Sequence, residues 1–137
     1  MDLEKARSFA GQHHRAVLAT RTPGGGVQQS PVLVGVDAEG RFVVSSRETA
    51  YKVRNLRADP RTQLCILTER FFGSWAYVEG SAEVVSLPEA EEPLVDYYRR
   101  VAGNEHPDWD DYRASLVREK RVLIRVTAAK AGPDRMG

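Results

Sequence analysis

The sequence has little cysteine and no long apolar run. Cys65 is the only cysteine among 137 residues, so an intrachain disulfide is impossible and a reducing compartment suits the chain. No apolar stretch approaches the roughly 20 residues that a membrane-spanning helix requires. The first residues, MDLEKARSFAGQHH, lack the basic start and the apolar stretch of a secretory signal. Together these absences predict a cytoplasmic protein.

Short motifs that announce a known chemistry by their spacing are also absent. The glycine run PGGG at residues 23–26 lacks the spacing of a dinucleotide-binding fingerprint and the helix that should follow it. There is no P-loop, no metalloprotease pair of histidines and no serine nucleophile elbow. Function therefore has to be inferred from charge, from polar residues on strands and from the order of the elements.

Positive charge is concentrated in one segment of an almost neutral chain. The formal net charge is +1, from 20 Lys and Arg against 19 Asp and Glu. Residues 41–61 hold six cations and two acids, whereas residues 83–111 hold nine acids and two cations. A nucleic-acid binder is normally basic overall or along a whole face. The local patch favours a small anionic ligand instead, and no nucleic-acid partner is expected.

Hydrophobic periodicity and turn residues predict one domain, residues 1–137, that is mainly β. Strands are expected at 15–22, 27–36, 41–46, 62–68, 74–86 and 120–132, with a bend at Gly80. Short helices are expected at 2–13, 51–58, 88–102 and 106–119. The first three strands have the short connections of an antiparallel meander. Six strands in this order predict a closed or nearly closed antiparallel barrel decorated by short helices.

A strand that ends in hydroxyl and basic residues leads into the predicted helix at 51–58. The first-turn amides of a helix are unpaired, and the helix dipole is positive at that end. Ser45 and Ser46 add hydroxyl donors, while Arg47 and Lys52 add positive charge. This combination can form a phosphate cradle. An N-capped surface helix with solvated basic residues explains the same letters.

Polar residues and a proline interrupt the second strand at QQSPV, residues 28–32. Gln28 and Ser30 share one face, and Pro31 restricts the strand to an edge, an end or a bulge. Such an edge can hydrogen-bond a flat heterocycle, or it can simply protect the sheet from pairing with another chain. Trp75 and Tyr77 project to one side of a later strand. They could line an aromatic ligand pocket or a subunit interface, or fill the core.

The acidic segment HPDWDDY, residues 106–112, superficially resembles a metal site. The spacing and the glycine of a calcium loop are missing, however. Asp108 as a helix N-cap, followed by acids in the first turn, explains the same residues. His13 and His14 are adjacent and cannot share one helical face. No metal site is expected.

The order of several segments resembles the pyridoxamine-phosphate-oxidase-like split-barrel flavoproteins, and within them the actinobacterial branch that uses the deazaflavin coenzyme F420. The resemblance covers about residues 14–126, and its most specific part is the Lys-x-x-Asn-Leu-Arg-x-Asp-Pro-Arg pattern that begins at Lys52. The segments that carry it are RAVLATRTPGGGVQQSPV, FVVSSRETAYKVRNLRADPR, WAYVEGSAEV and DWDDYRASLVREKRVLIRV. The resemblance implies a six-stranded antiparallel split β-barrel of the FMN-binding type, which forms a homodimer with each cofactor between subunits.

The resemblance also implies roles for individual residues. Lys52 corresponds to the lysine that binds the cofactor phosphate, with Arg54, Arg57 and Arg61 exposed or structural. Related deazaflavin proteins often carry a basic residue two before this lysine, where this chain has Ala50, and Arg47 is the candidate to compensate. The full set of expected cofactor contacts is Lys52, Arg47, Ser45, Ser46, Gln28, Ser30, Pro31, Val32, Asn55 and Trp75.

The function implied is that of an oxidoreductase which transfers a hydride from reduced coenzyme F420 to an unsaturated organic substrate. Tyr77 is the one candidate for a proton donor, and solvent could serve in its place. The C-terminal arginine and histidine motif by which pyridoxamine-phosphate oxidase binds its substrate has no counterpart in VLIRVTAAKAGPDRMG. An FMN-dependent oxidoreductase and a non-catalytic cofactor carrier remain the alternatives.

Overall fold

The computed structural model describes residues 1–134, which form seven strands and four helices. The predicted domain of residues 1–137 thus includes three residues outside the described part. No helix in the described part is long and apolar enough to cross a membrane. In chain order the elements are α1 (Leu3–Gln12), β1 (Arg15–Arg21), β2 (Val27–Leu33), β3 (Gly35–Val36), β4 (Phe42–Arg47), α2 (Tyr51–Ala58), β5 (Arg61–Leu67), β6 (Trp75–Val85), α3 (Glu91–Ala102), α4 (Trp109–Arg118) and β7 (Arg121–Gly132).

All seven strands belong to one antiparallel sheet in the order β2-β1-β5-β6-β7-β4-β3. β2 and β3 lie at opposite edges of this sheet, yet only Val34 separates them along the chain. A single residue spans less than 4 Å, so the sheet must curl until its two edges approach each other. The result is a curled half-barrel with flanking helices, which fits a split barrel and confirms the predicted mainly β, antiparallel class.

The number of strands and part of their order differ from the prediction. The expected second strand, 27–36, is two strands, because the chain pairs with β1 up to Val34 and with β4 from Gly35 onward. The barrel therefore has seven strands rather than six. The expected meander also stops there, since β4 pairs along its length with β7. Alternation of apolar residues indicates a strand but not its partner, which is why the change of edge was missed.

The inner face of the curled sheet encloses the main core. Strands contribute alternate residues such as Leu18, Leu64 and Ile124, each fully buried. α1 and α2 add small and branched residues to the same core, namely Ala6, Ala10, Val53 and Leu56. The spacing of Val53 and Leu56 places both on one face of α2, so the basic residues of that helix are directed elsewhere.

A second, smaller core lies on the outer face, where α3 and α4 cover β4 and β7. Its buried members are Val43, Ala90, Leu94, Leu116 and Leu123. The Tyr112 hydroxyl donates a hydrogen bond to the Leu94 carbonyl oxygen at 3.0 Å, which joins α4 to α3. Asp108 is the N-cap of α4 and accepts a hydrogen bond from the Asp111 amide. The capping interpretation of this acidic segment is therefore confirmed.

Gly80 marks an irregularity in the long strand β6, as the sequence predicts. The pairing of β6 with β7 shifts register between Glu79 and Gly80. A Cβ atom added at Gly80 would overlap the backbone of Thr127. The close approach of two backbones is the reason that this position requires glycine.

Candidate functional site

A cleft of about 310 Å³ lies where the exposed edge of β2 approaches β4 and the start of α2. We call it the basic cleft. It brings together three segments that the sequence analysis selected separately. β2 contributes Pro31 and Val32, β4 contributes Ser45, Ser46 and Arg47, and α2 contributes Lys52.

The edge of β2 leaves main-chain groups available at this cleft. The Val34 amide donates to the His14 carbonyl oxygen at 2.8 Å, which sets the alternation of hydrogen-bonded pairs along β1 and β2. By that alternation the polar main-chain groups of Gln29, Pro31 and Leu33 point away from β1, although the Leu33 carbonyl oxygen already accepts from the Tyr97 hydroxyl. Pro31 is tolerated because the amide that it lacks would have pointed outward. Pro31 therefore lies on an edge strand, as predicted, and its carbonyl is directed to the open side.

The start of α2 offers unpaired donors next to Lys52. Ala50 is the N-cap residue and supplies no side-chain hydrogen bond, while its carbonyl oxygen accepts from the Val53 amide at 3.1 Å. The donors that remain in the first turn are the Tyr51 and Lys52 amides. Lys52 is half-buried in the cleft and forms no ion pair with any of the described residues 1–134. α2 therefore begins without a side-chain cap.

The other cations of the segment have local partners. Arg57 donates to Glu48 and to the Ser86 hydroxyl, and Arg61 forms an ion pair with Asp59. Hydrogen bonds from Arg61 lower the pKa of Asp59 to about 2. Arg54 lies over the ring of Tyr51. These contacts leave Lys52 as the cation of α2 that lines the cleft.

Arg121 is a cleft residue that the sequence analysis missed. It begins β7 and lies opposite Arg47 of β4 in the pairing of these strands. Glu119 accepts hydrogen bonds from the Arg121 guanidinium at 2.8 and 3.0 Å and lies 3.6 Å from that of Arg47. Two guanidiniums thus share one carboxylate, which leaves net positive charge. In the sequence, Arg121 is only a basic residue at the start of a strand. Its place in the cleft depends on pairing with Arg47, which lies 74 positions earlier in the chain.

Asn55 and Gln28 are joined by a hydrogen bond on the inner side of the sheet. Asn55 is buried, and its side-chain amide donates to the Thr20 hydroxyl and to Gln28 Oε1, both at 3.1 Å. This network joins α2 to β1 and β2, which gives Asn55 a structural role. Ser30 is half-buried on the same inward side of β2 as Gln28. None of the three lines the basic cleft, and their contact with a cofactor stays a prediction.

Trp75 and Tyr77 lie on β6, away from the cleft of the same chain. Their rings stack with centroids 6.1 Å apart. Tyr77 also lies against Gly132, where an added Cβ would overlap its ring. Three strand-to-strand steps separate β6 from β2, which is about 14 Å at the usual strand spacing. A role for either ring at the cleft would need a second copy of the chain.

An apolar row crosses the outer face of the sheet between these two places. Pro31 pairs with Val17, Val17 with Cys65, and Cys65 with Tyr77. All four side chains are exposed or half-buried. Burial raises the pKa of the Cys65 thiol, which makes it an apolar surface group rather than a reactive thiolate. We call this set the outer row.

A family model described as pyridoxamine 5'-phosphate oxidase matches residues 3–132. A curled antiparallel sheet with a basic cleft at its open edge agrees with that match. The chain belongs to the pyridoxamine 5'-phosphate oxidase family, whose fold binds flavin-type cofactors and whose members include oxidoreductases.

Solved structures of the same fold are similar over almost the whole chain. A conserved hypothetical protein from Mycobacterium tuberculosis superimposes with a TM-score of 0.79 and 23% identity, covering 100% of this chain and 91% of its own. An F420 reductase has a TM-score of 0.68 and 22% identity, with 92% and 94% covered. A heme binding protein from Mycobacterium smegmatis has a TM-score of 0.73 and 22% identity, with 98% and 56% covered. At these identities the likeness establishes the fold alone.

Proposed function

We propose that this protein is an oxidoreductase that binds coenzyme F420 and transfers a hydride from its reduced form to an unsaturated organic acceptor. The observation that carries the proposal is the basic cleft. There an edge strand, the uncapped start of α2 and the side chain of Lys52 converge. The similarity of the fold to an F420 reductase supports the same cofactor class.

The donors of the cleft fit a phosphate group. The Lys52 ammonium group and the amides of Tyr51 and Lys52 can bind the phosphate oxygens, and the Ser45 and Ser46 hydroxyls lie on the adjoining strand. Ala50 stands where related deazaflavin proteins often carry a basic residue, and Arg47, which also lines the cleft, supplies positive charge instead.

The edge of β2 fits a flat ring with polar rim groups. The outward carbonyl of Pro31 and main-chain groups of Gln29 can hydrogen-bond such a rim, while Val32 provides apolar contact. A bound reduced deazaflavin supplies a two-electron hydride and, unlike a flavin, reacts poorly with oxygen. The chain itself would orient that ring and exclude water from it.

We also propose that the protein is a homodimer with the cofactor between its subunits. The outer row, from Pro31 to Tyr77, is an apolar surface that begins at the cleft. A second copy packed on this surface would cover it and bring aromatic residues such as Trp75 towards the cleft of its partner. The interface would thus complete a site that one chain leaves open.

Binding and turnover can be tested separately. Intrinsic tryptophan fluorescence is titrated first with coenzyme F420 and then with FMN, and quenching at low concentration of the deazaflavin is expected. Pre-reduced coenzyme F420 is next mixed with the protein and a panel of enones and tetrapyrrole-like acceptors. Oxidation of the coenzyme, followed by its absorbance, should be faster than without protein.

Three outcomes would contradict particular parts of the proposal. Tight binding of FMN with none of the deazaflavin would replace the cofactor assignment by the FMN alternative. Tight binding of the deazaflavin with no turnover across the panel would identify a cofactor carrier. Binding of neither would remove the phosphate assignment of the cleft.

A further inference from the structure

A second hollow adjoins the basic cleft on the side of α3 and α4. Its volume is about 410 Å³, within the range of small-molecule sites. Ser45 and Arg121 line both spaces, so the two adjoin at β4 and β7. Three tyrosines form much of its remaining wall, and we call it the tyrosine hollow. They are Tyr97, Tyr98 and Tyr112.

The hydroxyl groups of two of these tyrosines are already used by the protein. The Tyr97 hydroxyl donates to the Leu33 carbonyl oxygen at 2.8 Å, and the Tyr112 hydroxyl donates to that of Leu94 at 3.0 Å. Burial raises the pKa of Tyr97, although a hydrogen bond with the backbone of Ser45 and the charge of Arg121 oppose this. Both hydroxyls therefore stay neutral near pH 7, and the rings are held in place.

The third ring is fixed by packing rather than by its hydroxyl. Tyr98 contacts Tyr112 and Trp109 edge-on, with centroids 5.1 and 5.6 Å apart. Fixed aromatic walls lose little conformational entropy when a ligand binds. They also favour flat partners, which can stack or meet a ring edge-on.

The end of the hollow that meets the basic cleft is positively charged. Arg121 lies there with Glu119, and the same carboxylate serves Arg47 at 3.6 Å. With two guanidiniums for one carboxylate, an additional anion can bind without displacing Glu119. A guanidinium prefers a carboxylate or phosphate, to which it donates two parallel hydrogen bonds.

We propose that the tyrosine hollow binds the hydride acceptor, and that this acceptor is a planar conjugated or aromatic molecule with a carboxylate directed to Arg121. The inference rests on the proposed function in one respect, that the basic cleft holds the cofactor. Binding to the hollow itself needs no cofactor, so the two proposals can fail independently.

The test uses 2-naphthoate as the probe and calorimetric titration of the full chain as the measurement. Ser115 lines the hollow on α4, whereas its neighbour Ala114 is exposed and does not. Ser115→Phe should fill the hollow and weaken 2-naphthoate binding about tenfold or more. Ala114→Phe adds the same ring to the solvent side and should leave binding unchanged. Cofactor affinity should be unchanged in both variants, and circular dichroism verifies that both fold.

A second measurement does not depend on the variants. In the wild-type protein, 2-naphthoate should shift the NMR amide signals of Tyr98 and Ser115 more than those of β5. The neutral 2-naphthamide should bind at least about fivefold more weakly than 2-naphthoate, because it lacks the negative charge that Arg121 would bind. Unchanged binding to Ser115→Phe, or shifts centred elsewhere, would overturn the site. Equal affinity for 2-naphthamide and 2-naphthoate would overturn the claim that Arg121 recognises a carboxylate. Naphthoate binding without any deazaflavin binding would contradict the proposed function alone.

Discussion

Single residues of the segment at 51–61 differ in role although they look alike in sequence. Arg57 and Arg61 have acidic partners, and Arg54 lies over Tyr51. Lys52 instead faces the basic cleft beside the uncapped start of α2. The concentration of charge is thus partly structural and partly available to a ligand.

Lys52→Ala is expected to weaken deazaflavin binding by about 1.5–3 kcal/mol, the range of a charge-assisted hydrogen bond. The free energy of unfolding should barely change, because no described contact of the fold depends on this ammonium group. Fluorescence titration measures the affinity, and Arg54→Ala on the same helix is the matched control. Equal affinities for wild type and Lys52→Ala would show that the lysine does not bind the phosphate.

Asn55→Ala should act on stability instead. It removes a buried hydrogen bond to Thr20 and a partly buried one to Gln28, which corresponds to about 2 kcal/mol of unfolding free energy. Urea denaturation measures the loss, with the exposed Asn104→Ala as control. If Asn55→Ala unfolds like wild type but binds cofactor poorly, the amide contacts the ligand rather than the fold.

At the scale of elements, local signals were enough to locate most of the secondary structure but not its pairing. The dipeptide Asp59-Pro60 ends α2 where expected, and Gly80 marks the bulge of β6. Val34 carries no signal for the change of sheet edge, since apolar alternation continues through it. The place of Arg121 in the cleft depends on β4 pairing with β7. Such long-range pairing is decided by packing of the whole sheet.

Gly80→Ala should destabilise the protein by about 3 kcal/mol, because the new methyl group would overlap the backbone of Thr127 and separate β6 from β7. Gly24→Ala is the control, since a Cβ there meets nothing within 4 Å. Thermal unfolding of the two variants provides the comparison. Equal melting temperatures would mean that the bulge has room for a side chain.

The packing of α4 on α3 should weaken at alkaline pH. Burial raises the pKa of Tyr112 from 10.0 to about 12. The folded state therefore prefers the neutral phenol, and the stability from this preference is complete below about pH 10 and lost as pH rises towards 12. Urea midpoints at pH 8 and pH 11 should differ less for Tyr112→Phe than for wild type. The exposed Tyr51→Phe serves as control and should behave as wild type does.

At the scale of the whole molecule, one chain leaves a set of apolar side chains exposed outside its two cores. The outer row crosses four strands from Pro31 to Tyr77, and Leu33 beside it is 50% exposed. In the loop between β5 and β6, Phe71 and Phe72 are 69% and 92% exposed. Contiguous apolar surface of this kind usually belongs to an interface.

The protein is therefore expected to scatter light with twice the 15.3 kDa mass of the chain at micromolar concentration. Val17→Asp places a charge in the middle of the outer row and should yield a folded monomer, because an unpaired carboxylate is costly to bury. Val117→Asp, at a 65% exposed position on α4, should remain a dimer. Since each cleft would be completed by the partner, deazaflavin affinity should fall with Val17→Asp and not with Val117→Asp. A monomeric wild type, or a monomeric variant that binds as tightly as the dimer, would place the whole cofactor site within one chain.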